Sequence, residues 1–138
     1  PNYAMVKDAL TKPSDGVRHI MVTVNKTVGD IILREQLEAL AQTHADRFEC
    51  HFLVTRENVD HLGHYYRQGR PTTDFIRSLL KDPARVHVYA CGAAISKWDR
   101  ERAKEQGTEA KPRFMETVHE IVEGLGIERA RFKKEVFG

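Results

Sequence analysis

Short runs of β-branched and aromatic residues, alternating with stretches of helical periodicity, limit what this chain can fold into more than any other feature. VRHIMVTV (17–24) is almost continuously apolar, the pattern of an interior parallel strand covered on both faces. FECHFLVT (48–55) is a second such run. The third, RVHVYACG (85–92), alternates Val86, Val88 and Ala90 with His87 and Tyr89 and ends abruptly in Cys91-Gly92. RARFKKEVFG supplies a short last strand with Phe132, Val136 and Phe137.

Helical patterns fill the intervals. Tyr3, Val6 and Leu10 make one apolar face over residues 2–10, and the turn cluster Lys12-Pro13-Ser14-Asp15-Gly16 ends that helix. Asp30 is expected to cap a second helix running to about Thr43, with Leu33, Leu37, Leu40 and Ala41 inward. Residues 58–71, rich in His, Tyr and Gly, read as an irregular excursion. Thr72 or Thr73 caps a short third helix, which Lys81-Asp82-Pro83 stops. Residues 99–111 are almost entirely charged, a solvated helix and loop, with Trp98 expected to pack over the sheet edge. Pro112 stands where the last helix is expected to start, and Phe114, Met115, Val118, Ile121, Val122 and Leu125 give its apolar stripe before Gly124 and Gly126 close it. The order α-β-α-β-α-β-α-β predicts the α/β class: a mainly parallel open sheet flanked by helices with right-handed crossovers. The first element is a helix, so the strand that should feed it is expected to be missing and the single domain over 1–138 truncated at its amino end.

Composition narrows the function. The 138 residues carry 22 basic and 20 acidic side chains, and the resulting +2 is too balanced for a nucleic-acid surface. No run approaches the ~20 apolar residues of a membrane span. No signal peptide is visible, and Cys50 and Cys91 lack metal-type spacing, so a reducing cytoplasmic setting is expected. The seven histidines show no clustering, and no metal site is expected. In open α/β sheets ligands sit at the carboxyl ends of strands. A cysteine there, followed by a glycine that admits a ligand to the backbone, is a plausible place for chemistry. The plainer alternative is a small buried cysteine and a glycine that turns the chain.

Four stretches carry a resemblance to one family. Pro1 with NYAMVKDAL resembles the end of a GTGxxP loop and the helix it opens. VTVNKTVGDIILREQLEALA resembles the next strand and an acidic helix, VYACG a strand ending in CG(P), and KEVFG a closing Glu-hydrophobic-aromatic segment. Together they look like the nicotinamide-nucleotide-binding half of a ferredoxin–NADP reductase-type flavoprotein, a Rossmann-like domain. The resemblance implies that Cys91 and Gly92 lie beside the nicotinamide, that Glu135 is the carboxylate near nicotinamide and flavin, and that Phe137 covers the flavin ring. Thr55-Arg56 resembles the pair that holds the 2′-phosphate of NADP, a role suited to a guanidinium fork. Tyr66 and Gln68, in HYYRQ, resemble a Lys-x-Tyr-x-Gln stretch whose Tyr stacks on adenine. Pro1 and Asn25 are further cofactor-side candidates. The implied cofactors are NADP or NAD, with FAD on a flavin-binding domain absent from the sequence, and the implied acceptor is an iron–sulfur or oxygenase partner. Ala93 replaces the family's usual Pro, and the charged stretch at 99–111 departs from its pattern.

Each residue keeps a plainer reading. Arg56 can be a surface charge, Tyr65 and Tyr66 loop packing, Glu135 a weak surface ion pair, and Phe137 a core-closing aromatic. Two other functions stay open. One makes Cys91 a nucleophile with His87 or His119 as base. The other is a non-catalytic nucleotide-binding or docking module.

Overall fold

The computed structural model describes residues 1–137, so the Gly138 of the KEVFG segment lies outside them. The α/β class holds: parallel strands are flanked by helices. The chain divides into two compact units, the first running to Pro71 and the second starting at Thr72. Instead of one sheet there are two, of three and two strands. Among the described residues, β1 (His19–Asn25) pairs only with β2 (Phe48–Val54), and β4 (Val88–Ala93) only with β5 (Phe132–Phe137).

In the first unit α1 (Asn2–Thr11), β1, α2 (Arg34–Thr43), β2 and β3 (Tyr66–Gln68) follow one another, and the sheet order is β1-β2-β3, all parallel. Phe48, Cys50, Phe52 and Val54, alternate residues of β2, point into a core that also holds Leu10, Ile31, Leu37 and Val59. Tyr3 and Val6 of α1 and Leu40 and Ala41 of α2 pack on it, as the apolar stripes predict. Phe48, Phe52 and Leu37 are each at most 2% exposed, and burial of such side chains stabilises by about 1.5–3 kcal/mol apiece.

Three local expectations fail in this unit. Strand β1 starts at His19, leaving Val17 exposed, because pairing begins where His19 meets Phe48. Asp30 does not cap α2. Its carboxylate turns back to the backbone N–H (3.0 Å) and hydroxyl (2.8 Å) of Thr27, closing a 3₁₀ turn over Val28–Asp30. Helix α2 begins four residues later, after Leu33, whose φ of 59° is left-handed, a conformation that costs a branched side chain on the order of 1–2 kcal/mol. The excursion at 58–71 contains a 3₁₀ turn (Asp60–Leu62) and the strand β3, too short to show a period in sequence.

The second unit holds α3 (Thr73–Leu79), β4, α4 (Lys97–Glu105), α5 (Phe114–Gly124) and β5. Thr72 caps α3 by accepting from Phe75 N–H at 3.1 Å. The charged run does form a helix, but it starts at Lys97, and Trp98 is 74% exposed rather than packed on a sheet edge. Helix α5 starts two residues after Pro112, with Arg113 at the N-cap. Its end is as expected: Gly126 is left-handed at φ 67°, Gly126 N–H reaches Glu123 O and Ile127 N–H reaches Val122 O, and Ile127 is buried behind the turn. No helix among the described residues is long and apolar enough to cross a membrane.

Candidate functional site

Each unit presents one carboxyl end of parallel strands. In the first, the register sets Asn25 opposite Val54 and Val54 opposite Gln68, so the three strands finish level and Thr55-Arg56 lie just beyond. The ladder continues into the loops: Thr55 N–H donates to Asn25 O at 3.0 Å and Arg56 N–H to Lys26 O at 2.9 Å. Glu57 adds a third tie by accepting from Val28 N–H at 2.8 Å. Asp30 and Glu57 are thus both committed to donors of the β1 loop. Lys26 and Arg56 are exposed, and the Arg56 guanidinium makes no ion pair with another described residue. An unpaired guanidinium beside a strand end suits a phosphate.

The other candidates here are more occupied. The Asn25 amide donates to Asp30 O at 3.0 Å and so holds its own loop. The Thr55 hydroxyl points to Asn25 O at 3.4 Å. Tyr66 is not an open stacking platform: its ring stacks on Phe52 (centroids 4.8 Å apart), and its hydroxyl donates to Glu38 and accepts from Arg34 Nε at 2.7 Å. Gln68 is exposed at the end of β3. Pro1 is the N-cap of α1, its carbonyl accepting from Met5 N–H at 3.2 Å.

In the second unit Cys91 lies directly opposite Glu135, and Ala93 opposite Phe137. Opposed residues of parallel strands share a face, and successive residues alternate. Cys91, Glu135 and Phe137 therefore stand on one face, Gly92 and Val136 on the other. Strand β4 runs on to Ala93 instead of breaking at Cys91-Gly92. The bare α-carbon of Gly92 makes room for α5: a Cβ there would run into the Phe114 ring at Cδ1 and Cε1. Phe137 does not close a core; it is 59% exposed.

The loop after β4 is held by groups that the sequence reading passed over. Ile95 N–H and Arg113 N–H both donate to the Glu116 carboxylate, at 3.0 and 2.9 Å. Burial pushes Glu116 up, but the Ile95 and Arg113 donors, together with its own N–H and His119 nearby, leave the carboxyl below its usual range. Ser96 donates N–H and O–H to Asp99 Oδ2, both at 2.8 Å, and accepts from Asp99 N–H. Arg113 Nη2 closes the ring onto Asp99 Oδ1 at 2.6 Å. The guanidinium, then the Ser96 N–H and hydroxyl, hold Asp99 well below the ordinary carboxylate range. The spacing Ser96-x-x-Asp99, a capping box at the start of α4, was the available signal for Asp99; at α5 only the Glu116 half of such a box exists, because an Arg side chain cannot accept.

The nucleophile reading loses its bases. His119 packs edge-on against Phe132 and lies 2.9 Å from Lys134 Nζ, two residues of the β5 face opposite to that of Cys91. His87 precedes β4 and is exposed. Among the described residues no three His, Cys, Asp or Glu side chains gather as a metal site.

Parallel strands between helices, with their carboxyl ends on one side of each unit, describe an α/β domain. The chain belongs to the oxidoreductase NAD-binding domain family, whose model matches residues 1–96. It is 31% identical over 93 residues to human NADH-cytochrome b5 reductase 2, covering 67% of this chain and 33% of that protein. To the NADH nitrate reductase of Ulva prolifera it is 43% identical over 94 residues, 67% of this chain and 10% of that one. The crystal structure of the cytochrome b5 reductase domain of the same Ulva enzyme superimposes with a TM-score of 0.72 at 26% identity, over 98% of this chain and 45% of that one. The chain thus spans from 9% to 56% of the length of these and other curated relatives.

Proposed function

We propose that this chain is the nicotinamide-nucleotide-binding part of a flavin-dependent reductase. When bound, the nicotinamide supplies a hydride to a flavin carried elsewhere in the parent protein. The observation that carries the reading is the register Cys91↔Glu135, which puts a soft thiol and a carboxylate side by side at the carboxyl end of parallel strands. Cys91 packs beside the reacting ring, and Glu135 holds a proton-accepting charge near it. The loop clamped by Glu116 and Asp99 keeps Cys91 in place during turnover.

At the adenosine end Arg56 binds a 2′-phosphate, which favours NADPH, although the relatives named above are NADH enzymes. Glu57, the carboxylate that would serve a free ribose diol, already holds the Val28 N–H. The acceptor is a one-electron carrier. Several relatives carry cytochrome b5 in their names, so a haem protein is the favoured class and an iron–sulfur or oxygenase partner the second.

Rapid-mixing measurement of flavin reduction in the intact protein tests this. Cys91→Ala is expected to slow reduction about 10- to 100-fold, ~1.4–2.8 kcal/mol of barrier, with nucleotide affinity little changed. Nucleotide binding with no flavin reduction in the wild type would leave the binding-module reading in its place.

A further inference from the structure

We propose that Tyr66 is a positioning residue whose hydroxyl clamps β3 to α2, keeping Gln68 level with the Thr55-Arg56 pair for the nucleotide. The inference rests on the nucleotide reading above, and it gives this side chain a different part from the base-stacking one that the family resemblance implies. Strand β3 has three residues and is joined to β2 through Phe52↔Tyr66, Leu53↔Arg67 and Val54↔Gln68. So short an edge strand needs anchors besides its ladder.

Tyr66 provides them. Its ring stacks on Phe52, itself 2% exposed, at an interplanar angle of 22°. Its hydroxyl is used in both directions, donating to Glu38 and accepting from Arg34 Nε. Arg34 and Glu38 are one turn apart on α2 and 3.5 Å from each other, and the guanidinium lies 5.3 Å from the phenol centroid. Leu37, 1% exposed between them in sequence, fixes α2 in the core. The linkage therefore runs from the core through α2 to Tyr66, and along two residues of extended chain, about 7 Å, to Gln68. Gly69 N–H then bonds Val54 O at 2.9 Å, the residue before Thr55. Burial, then the Glu38 carboxylate, raises the phenol above its ordinary range, so it stays protonated and able to donate. One face of the ring is taken by Phe52, and the hydroxyl is already used in both directions.

The test compares Tyr66→Phe, Tyr66→Leu, Glu38→Ala and the Tyr66→Phe/Glu38→Ala double variant with wild type in the intact protein. It reads dissociation constants for NADH and NADPH well below the thermal midpoint, and the midpoint itself. Tyr66→Phe keeps a ring that could stack on a base but breaks the clamp. Tyr66→Phe and Glu38→Ala are each expected to bind both nucleotides roughly tenfold more weakly, and their double variant no more weakly than either, because all three break one linkage. Tyr66→Phe binding as tightly as wild type, with Tyr66→Leu weakened, overturns the proposal and returns the ring to base stacking. A lowered midpoint with unchanged dissociation constants overturns it too, leaving only a stabilising role. Wild-type protein without nucleotide affinity overturns this proposal together with the reading it rests on; the first two outcomes leave that reading standing.

Discussion

The two cysteines look alike in sequence, each inside an apolar run, yet their surroundings separate them. Cys50 is 2% exposed on the core face of β2, and burial, aided by the nearby Glu38, pushes its thiol up to about 12. The thiolate is the reactive form, so Cys50 is chemically silent at neutral pH. Cys91 is half-buried, opposite Glu135. Iodoacetamide on the native protein is therefore expected to label Cys91 and spare Cys50, and peptide mass analysis should find the second label only after denaturation. Labelling of both at equal rates in the native state would contradict the burial of β2. That Cys91 and Glu135 belong together was legible only through the family pattern. No spacing rule joins residues 44 positions apart; the strand register does. Tyr66 shows the opposite case. The motif was visible, but the side chain was already committed to Glu38 and Arg34, partners on a separate helix that no local pattern could reveal.

At the level of elements, periodicity performed well wherever a segment was long enough to repeat. The stripes of α1 and α5, the apolar run of β2, and Leu37, Leu40 and Ala41 of α2 lie where the sequence places them, but Leu33, expected inward, precedes the helix and is exposed. It failed at joints, where one hydrogen bond decides a boundary: Asp30 capping Thr27 rather than α2, or Phe114 rather than Pro112 opening α5. The contact between β4 and α5 at Gly92 gives that packing a testable size. Gly92→Ala must displace the Phe114 ring, and overpacking of this kind costs typically ~1–3 kcal/mol. Urea denaturation should show the loss as a lower midpoint with an unchanged slope. A further Phe114→Leu substitution should recover part of it, because it vacates the space that the new methyl needs. Gly92→Ala at wild-type stability would mean that the ring turns aside freely.

For the whole molecule the useful observable is how ligand binding and folding are linked. A ligand at a hundred times its dissociation constant adds about 2.7 kcal/mol to stability, and for a chain of this size that is a rise of roughly 5–10 °C in thermal midpoint. NADPH is expected to give the larger rise in the wild type. Arg56→Ala should lose most of the excess while leaving the NADH shift unchanged, and scanning calorimetry on the intact protein reads both. An equal NADPH shift in the variant would remove Arg56 from the phosphate. The parallel pairing of β4 with β5 also sets where such a chain tolerates change in length. Residues 94–131 connect the two strands without entering the ladder, so insertions and deletions in the exposed stretch 104–109 leave the pairing of Cys91 and Glu135 untouched. A single residue gained or lost between Phe132 and Glu135 slips the register by one and turns the carboxylate to the α5 side. Drift in length can accumulate in the loop, while four consecutive positions of the last strand admit substitution but no indel.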